Sequence, residues 1–283
     1  MKSRRNAVKA FCGSSYETPR SFMGNKDLAR EQIARRRQAV SVRLKAFRTH
    51  CNETARIRLA EAQCALARSY DGSRCRRHNL TAERWLLKAL QNYDAYKGRR
   101  DTTSARLEIL NRLAAIAHRL NDPERLQYAL QRMLSTYRSL AESNWLVFSE
   151  DVSVTLWQLG NLHADMHRPQ EAEKAYLEAL NVRATFDDED IFRYRPATAQ
   201  CLRSLGQLYE EQIQDGPRAE ESYKKAVEVL RELCSHPYEG CNHVRSLACS
   251  LDMLGRFYER AERKEAATAC YEEAESLHAK IER

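Results

Sequence analysis

Cys234, His236, Cys241 and His243 place four soft or borderline metal-ligating side chains within ten residues, the donor set of a zinc site. Their spacing matches none of the familiar zinc modules, and a thiol and an imidazole two residues apart seldom reach one tetrahedral centre together. We therefore read them as residues of a loop that also carries Pro237 and Gly240. Cys75 stands among Arg74, Arg76, Arg77 and His78, a setting that could hold a thiolate, but it reads more simply as a solvated basic turn. The acidic run Asp187, Asp188, Glu189 and Asp190 lacks the glycine and the distal glutamate of a calcium loop and reads as a turn. The sequence has no Gly-rich phosphate loop, no GxSxG elbow and no HExxH pair. We expect no catalytic residue, no metal and no cofactor.

The elements that carry these residues must be helical. The chain has 283 residues but only 9 glycines and 6 prolines, too few for a sandwich or barrel with many turns. Hydrophobic residues make up 43% and charged residues 30%, enough apolar content to bury an extended core. No apolar run approaches the roughly 18 residues of a membrane span, the longest cluster being Trp145 to Phe148, so no membrane insertion is expected. Nine cysteines without a CxxC pair point to a reducing compartment. The net charge of +8 is unevenly placed: residues 1–100 hold 24 Lys/Arg against 8 Asp/Glu, and residues 101–283 hold 23 against 31.

Self-similarity decides the architecture. Leu66-Ala67, Leu113-Ala114, Leu159-Gly160, Leu205-Gly206 and Leu254-Gly255 recur at steps of 47, 46, 46 and 49 residues. In the last three copies a leucine stands three before the pair (Leu156, Leu202, Leu251), and His163, Tyr209 or Tyr258 stands three after the glycine, which marks one face of a helix. A second face follows: Ala172, Tyr176, Ala179; Ala219, Tyr223, Ala226; and Ala267, Tyr271, Ala274. Weaker copies are Ala82, Leu86, Ala89 and Leu126, Leu130, Met133. Small residues let two antiparallel helices approach while each tyrosine fills a wedge toward the next repeat. Pro123, Pro169 and Pro217 fall near the first turn of second helices, Asp71-Gly72 and Asp215-Gly216 fall between helices, and Pro196 precedes a first helix.

These residues resemble the tetratricopeptide repeat, with its Leu-Gly-x-x-Tyr and Ala-x-x-x-Tyr-x-x-Ala pattern, specifically over 153–280 and moderately over 55–145. The period near 46 is similar to the longer-helix, kinesin-light-chain-like branch. The resemblance implies an all-α, right-handed superhelical solenoid of about five antiparallel helix pairs, with repeats near 55–100, 101–142, 149–186, 196–233 and 243–283 inside a repeat domain 51–283. It further implies a concave groove lined by first helices, here Arg68, Asn111, Trp157, Asn161, Arg203, Gln207, Asp252 and Arg256. The lysines of a co-chaperone clamp are missing from that set.

Residues 27–50 read as a basic capping helix with an apolar stripe of Ala29, Ile33, Val40, Leu44 and Phe47, whose Arg35, Arg36, Arg37 and Arg43 are candidates for contact with nucleic acid or an acidic partner. Residues 1–26 form a basic tail with six Lys/Arg and one acid, Glu17. Met1, Val8, Phe11 and Cys12 would share a side opposite Lys2, Arg5 and Lys9 if this tail were a helical targeting segment. The expected function is a non-catalytic, cytoplasmic scaffold or adaptor that holds a linear acidic or polar segment, or a helix, of a protein partner. The alternative is a subunit of a ribonucleoprotein, in the mitochondrial matrix if the tail is a targeting segment, contacting RNA through its basic N-terminus. Sequence does not fix the oligomeric state.

Overall fold

Helix starts and stops follow local chemistry throughout the computed structural model, which describes residues 22–70, 75–185, 191–235 and 240–281. The tail before residue 22, Asp71-Gly72, the acidic run 187–190 and His236 lie outside the described residues, as does the Cys241 side chain. The chain divides into two compact units, 1–100 and 101–283.

Unit 1 contains α1 (Phe22–His50), α2 (Glu53–Arg68) and α3 (Arg76–Asp94). Cys51, at φ 45°, turns the chain between α1 and α2, and the Asn52 side chain caps α2 by accepting from the Ala55 N–H at 2.7 Å. Val40 of α1 is buried, whereas Val42 is 59% exposed.

Unit 2 is an all-α solenoid of antiparallel pairs: α4 (Thr103–Leu120) with α5 (Pro123–Ser143), α6 (Trp145–Asp165) with α7 (Pro169–Arg183), α8 (Ile191–Leu208) with α9 (Gly216–Ser235), and α10 (Gly240–Arg260) with α11 (Lys264–Ile281). Each second helix packs on its own first helix and on the first helix that follows, and α6 also touches α8. Proline opens α5 and α7, where its missing N–H costs nothing.

The turn inside each pair is the same device four times over. Asn121, His167, Gln214 and Glu262 adopt left-handed φ between 54° and 61°. The following N–H then reaches back into the first helix: Asp122 to Ala117 O, Arg168 to His163 O, Asp215 to Tyr209 O and Arg263 to Tyr258 O, at 2.9–3.0 Å. This closes the carbonyls that a helix end leaves open, with no glycine at the left-handed position.

One turn absorbs an extra residue. Gly160 to Ala172 and Gly255 to Ala267 span 12 positions, but Gly206 to Ala219 spans 13. The surplus appears as a π-helical turn, Tyr209–Ile213, at the end of α8, the usual form of a single insertion in a helix. It sends the Gln212 side chain to the Ala164 carbonyl of α6 at 2.9 Å.

Pro196 lies inside α8 rather than before it. It stands in the second turn, so one N–H donor is forgone, and Arg183 donates to the adjacent Ala197 carbonyl at 2.6 Å.

Candidate functional site

The first-helix wall of unit 2 takes its shape, in the last three pairs, from a glycine and a tyrosine. A Cβ added at Gly160, Gly206 or Gly255 would meet the ring of Tyr176, Tyr223 or Tyr271 at 2.5, 2.8 and 2.7 Å. The glycines therefore make room for a ring of their own pair, and the ring also reaches toward the next repeat, Phe257 lying 5.8 Å from Tyr223 and Ser204 hydrogen-bonding the Tyr176 hydroxyl. Each hydroxyl then donates to the first helix: Tyr176 to Asn161 Oδ1 at 2.7 Å, Tyr223 to Glu210 Oε2 and Tyr271 to Glu259 Oε2 at 3.0 Å. Burial, the main cause, raises the Tyr176 and Tyr223 hydroxyls well above the ordinary tyrosine range.

Between pairs a second tyrosine forms a latch that sequence reading missed. Tyr209 donates to Glu173 Oε1 at 2.8 Å; Arg218 lies over its ring at 4.4 Å and pairs with the same Glu173 oxygen at 2.7 Å. One repeat later Tyr258 donates to Glu220 at 3.1 Å, while Arg263 stacks on that ring at 4.9 Å and reaches Glu220 at 2.7 Å. Burial followed by the Glu173 bond pushes the Tyr209 hydroxyl up to about 12. The sequence signals are the tyrosine three residues after Gly206 and Gly255 and a glutamate immediately after Ala172 and Ala219. On the second-helix side, Arg138 pairs with Glu178 and Arg231 with Glu273.

On the wall itself, most of the expected groove residues already hold intramolecular partners. Trp157 Nε1 donates to Ser204 Oγ at 3.1 Å, joining α6 to α8. Asn161 is taken by Tyr176, Asn111 hydrogen-bonds the Tyr137 hydroxyl, Gln207 donates to Glu211 at 3.0 Å, and Asp252 faces His278 at 3.5 Å. Arg68 is exposed on α2 in unit 1. Arg203 and Arg256 form no hydrogen bond or ion pair among the described residues. Arg203 is half-buried, and that burial lowers its pKa, opposed only by the nearby Cys249. Arg256 is exposed on α10, near Tyr271.

The basic helix α1 uses its arginines differently from the expectation of free contacts. Arg36 donates to Ala65 O and Ser69 Oγ, both at 2.8 Å, and Arg37 donates to the Tyr70 hydroxyl at 2.8 Å. Arg43 donates to Arg58 O at 3.2 Å, and Arg35 pairs with Glu31 one turn away. Arg36, Arg37 and Arg43 thus tie α1 to α2 and the turn after it.

Among the described residues no group of three His, Cys, Asp or Glu side chains is arranged to hold a metal, and no helix is long and apolar enough to cross a membrane. Cys201 is fully buried. Burial pushes its thiol up to about 11, the opposite of an activated nucleophile.

Tetratricopeptide-repeat family models match residues 151–232 and 250–280. These segments are tetratricopeptide repeats. They cover the glycine–tyrosine pairs of α6–α7 and α8–α9 and most of α10–α11. Among solved structures, BtubC (BKLC) from P. vanneervenii shares 21% identity, covering 90% of this chain and 92% of its own, with a TM-score of 0.57. A Podosopora anserina protein described as a kinesin light chain, with nearly identical TPR-like repeats, shares 19% identity over 81% of this chain and 98% of its own, at a TM-score of 0.53. These likenesses show the fold: an all-α tetratricopeptide-like solenoid. A comparison with curated proteins gave no significant match.

Proposed function

We propose that this tetratricopeptide-repeat chain is a non-catalytic protein-interaction scaffold, and that the first-helix wall of unit 2 binds a short acidic segment of a protein partner. The observation that carries the reading is Arg203. A half-buried guanidinium with no carboxylate beside it forfeits hydration without compensation, and a partner's acidic side chain would supply that compensation through two parallel N–H···O bonds. Its neighbours are poorly placed to compete, because Trp157 is bonded to Ser204 and Gln207 to Glu211. Arg256, on α10, offers a second, more exposed contact. Residues 101–283 carry more acids than bases, so recognition rests on these individual arginines and not on a general positive field.

Affinity capture after nuclease treatment should recover a stoichiometric protein partner, and recovery of nucleic acid alone would refute the scaffold reading. With the partner's segment in hand, Arg203→Ala and Arg256→Ala should each weaken binding by about 1–2 kcal/mol, the range of interface arginines that lose a partner, with little change in melting temperature. Reversal of both charges that leaves affinity within about twofold would remove the wall from the binding site.

A further inference from the structure

Unit 1 contains a cleft of about 430 Å³ between the end of α1 and the start of α2. Val42, Ala46 and Ala55 give it an apolar lining, and Arg43 and Arg58 supply the charge beside His50. Among the described residues no carboxylate lines it; the nearby Glu53 is held by Arg56 and by the Lys97 N–H. Arg43 is pinned against the Arg58 carbonyl, which leaves the remaining guanidinium N–H groups as donors. The Arg58 side chain makes no hydrogen bond or ion pair among the described residues, and the Thr54 hydroxyl adds a donor at the rim.

We infer that this cleft binds a phosphate monoester carried on a small organic body, a ligand of nucleoside-monophosphate size. Two guanidinium groups and a hydroxyl match the several acceptor oxygens of a phosphate, while the exposed Val42 surface gives the organic body an apolar seat. The volume falls within the range of small-molecule sites. A polymer's track would need the charge to continue along α1, and it does not: Arg35, Arg36 and Arg37 are engaged elsewhere, and by helical spacing Lys45 and Arg48 leave the opposite side of α1 from Arg43, Ala46 and His50. The inference stands apart from the partner-binding wall of unit 2.

Calorimetric titration of the full chain with adenosine 5′-monophosphate, adenosine, inorganic phosphate and a single-stranded RNA tests it. The monophosphate should bind one per chain and more tightly than inorganic phosphate, and adenosine should not bind. Arg58→Glu should weaken the monophosphate at least about tenfold, the loss expected for a charged hydrogen-bond donor. The variant's melting temperature should be unchanged, because Arg58 supports no contact of the fold through its side chain. Absence of binding at millimolar monophosphate, binding that Arg58→Glu leaves intact, or inorganic phosphate binding as tightly as the monoester would each overturn the proposal. Arg58-dependent capture of RNA without any affinity for the monophosphate would replace it with a polymer site.

Discussion

Replacing Gly206 with alanine adds one methyl group at the place where α8 meets its partner helix. The new Cβ would lie 2.8 Å from Cδ1 and Cε1 of Tyr223, against an ordinary carbon–carbon contact of about 3.5–4.0 Å. The ring has nowhere to withdraw: it is 2% exposed, its hydroxyl is bonded to Glu210, and Phe257 packs beside it at 5.8 Å. Overpacking of this kind costs about 1–3 kcal/mol, and the better helix propensity of alanine returns about 1. A net loss of up to about 2 kcal/mol follows from those two principles.

Gly216 provides the control, because nothing lies within 4 Å of a Cβ added there; the same substitution should stabilise by about 0.4–1 kcal/mol by restricting the unfolded chain. Urea unfolding followed by circular dichroism and tryptophan fluorescence reads both, and Trp157, bonded to Ser204 two residues before Gly206, reports locally if the repeats do not unfold together. In a Tyr223→Leu background the Gly206→Ala penalty should largely disappear, since the two positions are in contact. A Gly206→Ala protein as stable as Gly216→Ala would refute the packing argument.

Glu220 accepts from Tyr258, Arg263 and Lys224, and the Lys224 bond is the main cause that holds its pKa below the ordinary 4.5, against a smaller opposing effect of burial. Its contribution is therefore complete above pH 4.5 and lost as the pH falls through the lowered folded value; the melting-temperature gap between the parent and Glu220→Gln should be constant near neutrality and shrink on acidification, and a gap independent of pH would contradict the latch. Arg183, 6% exposed, donates to Ser153 Oγ at 3.2 Å and to the Ala197 carbonyl at 2.6 Å, bridging α7 to α6 and α8. Arg183→Ala should cost about 2–4 kcal/mol from the cavity and the abandoned carbonyl, with Arg183→Lys restoring only part because one ammonium cannot span both acceptors; a urea-derived loss under about 1 kcal/mol would count against that role.

The sequence by itself determined the helix pairs and, over 151–232 and 250–280, the kind of repeat they form. Leu156, Leu159 and Gly160 with Ala172, Tyr176 and Ala179 recur because the last three pairs solve the same close-packing problem with the same kinds of side chain, and such a period is written along one dimension. The extra residue between Gly206 and Ala219 was equally visible as a spacing, although not as a π-turn. Tertiary structure alone decided where the long polar side chains end. Arg218 stands one residue before Ala219 and Arg263 four before Ala267, yet both reach the equivalent tyrosine and glutamate, because a guanidinium on a flexible stem can cross a helical turn. For the same reason Arg36 and Arg37, which read as free charges on a basic helix, are spent on α2 and the turn after it, while Arg203 keeps its charge unpaired on α8. Apolar periodicity follows from which face of a helix is buried; the partner of a charge depends on distances between helices, which appear only once the helices are packed.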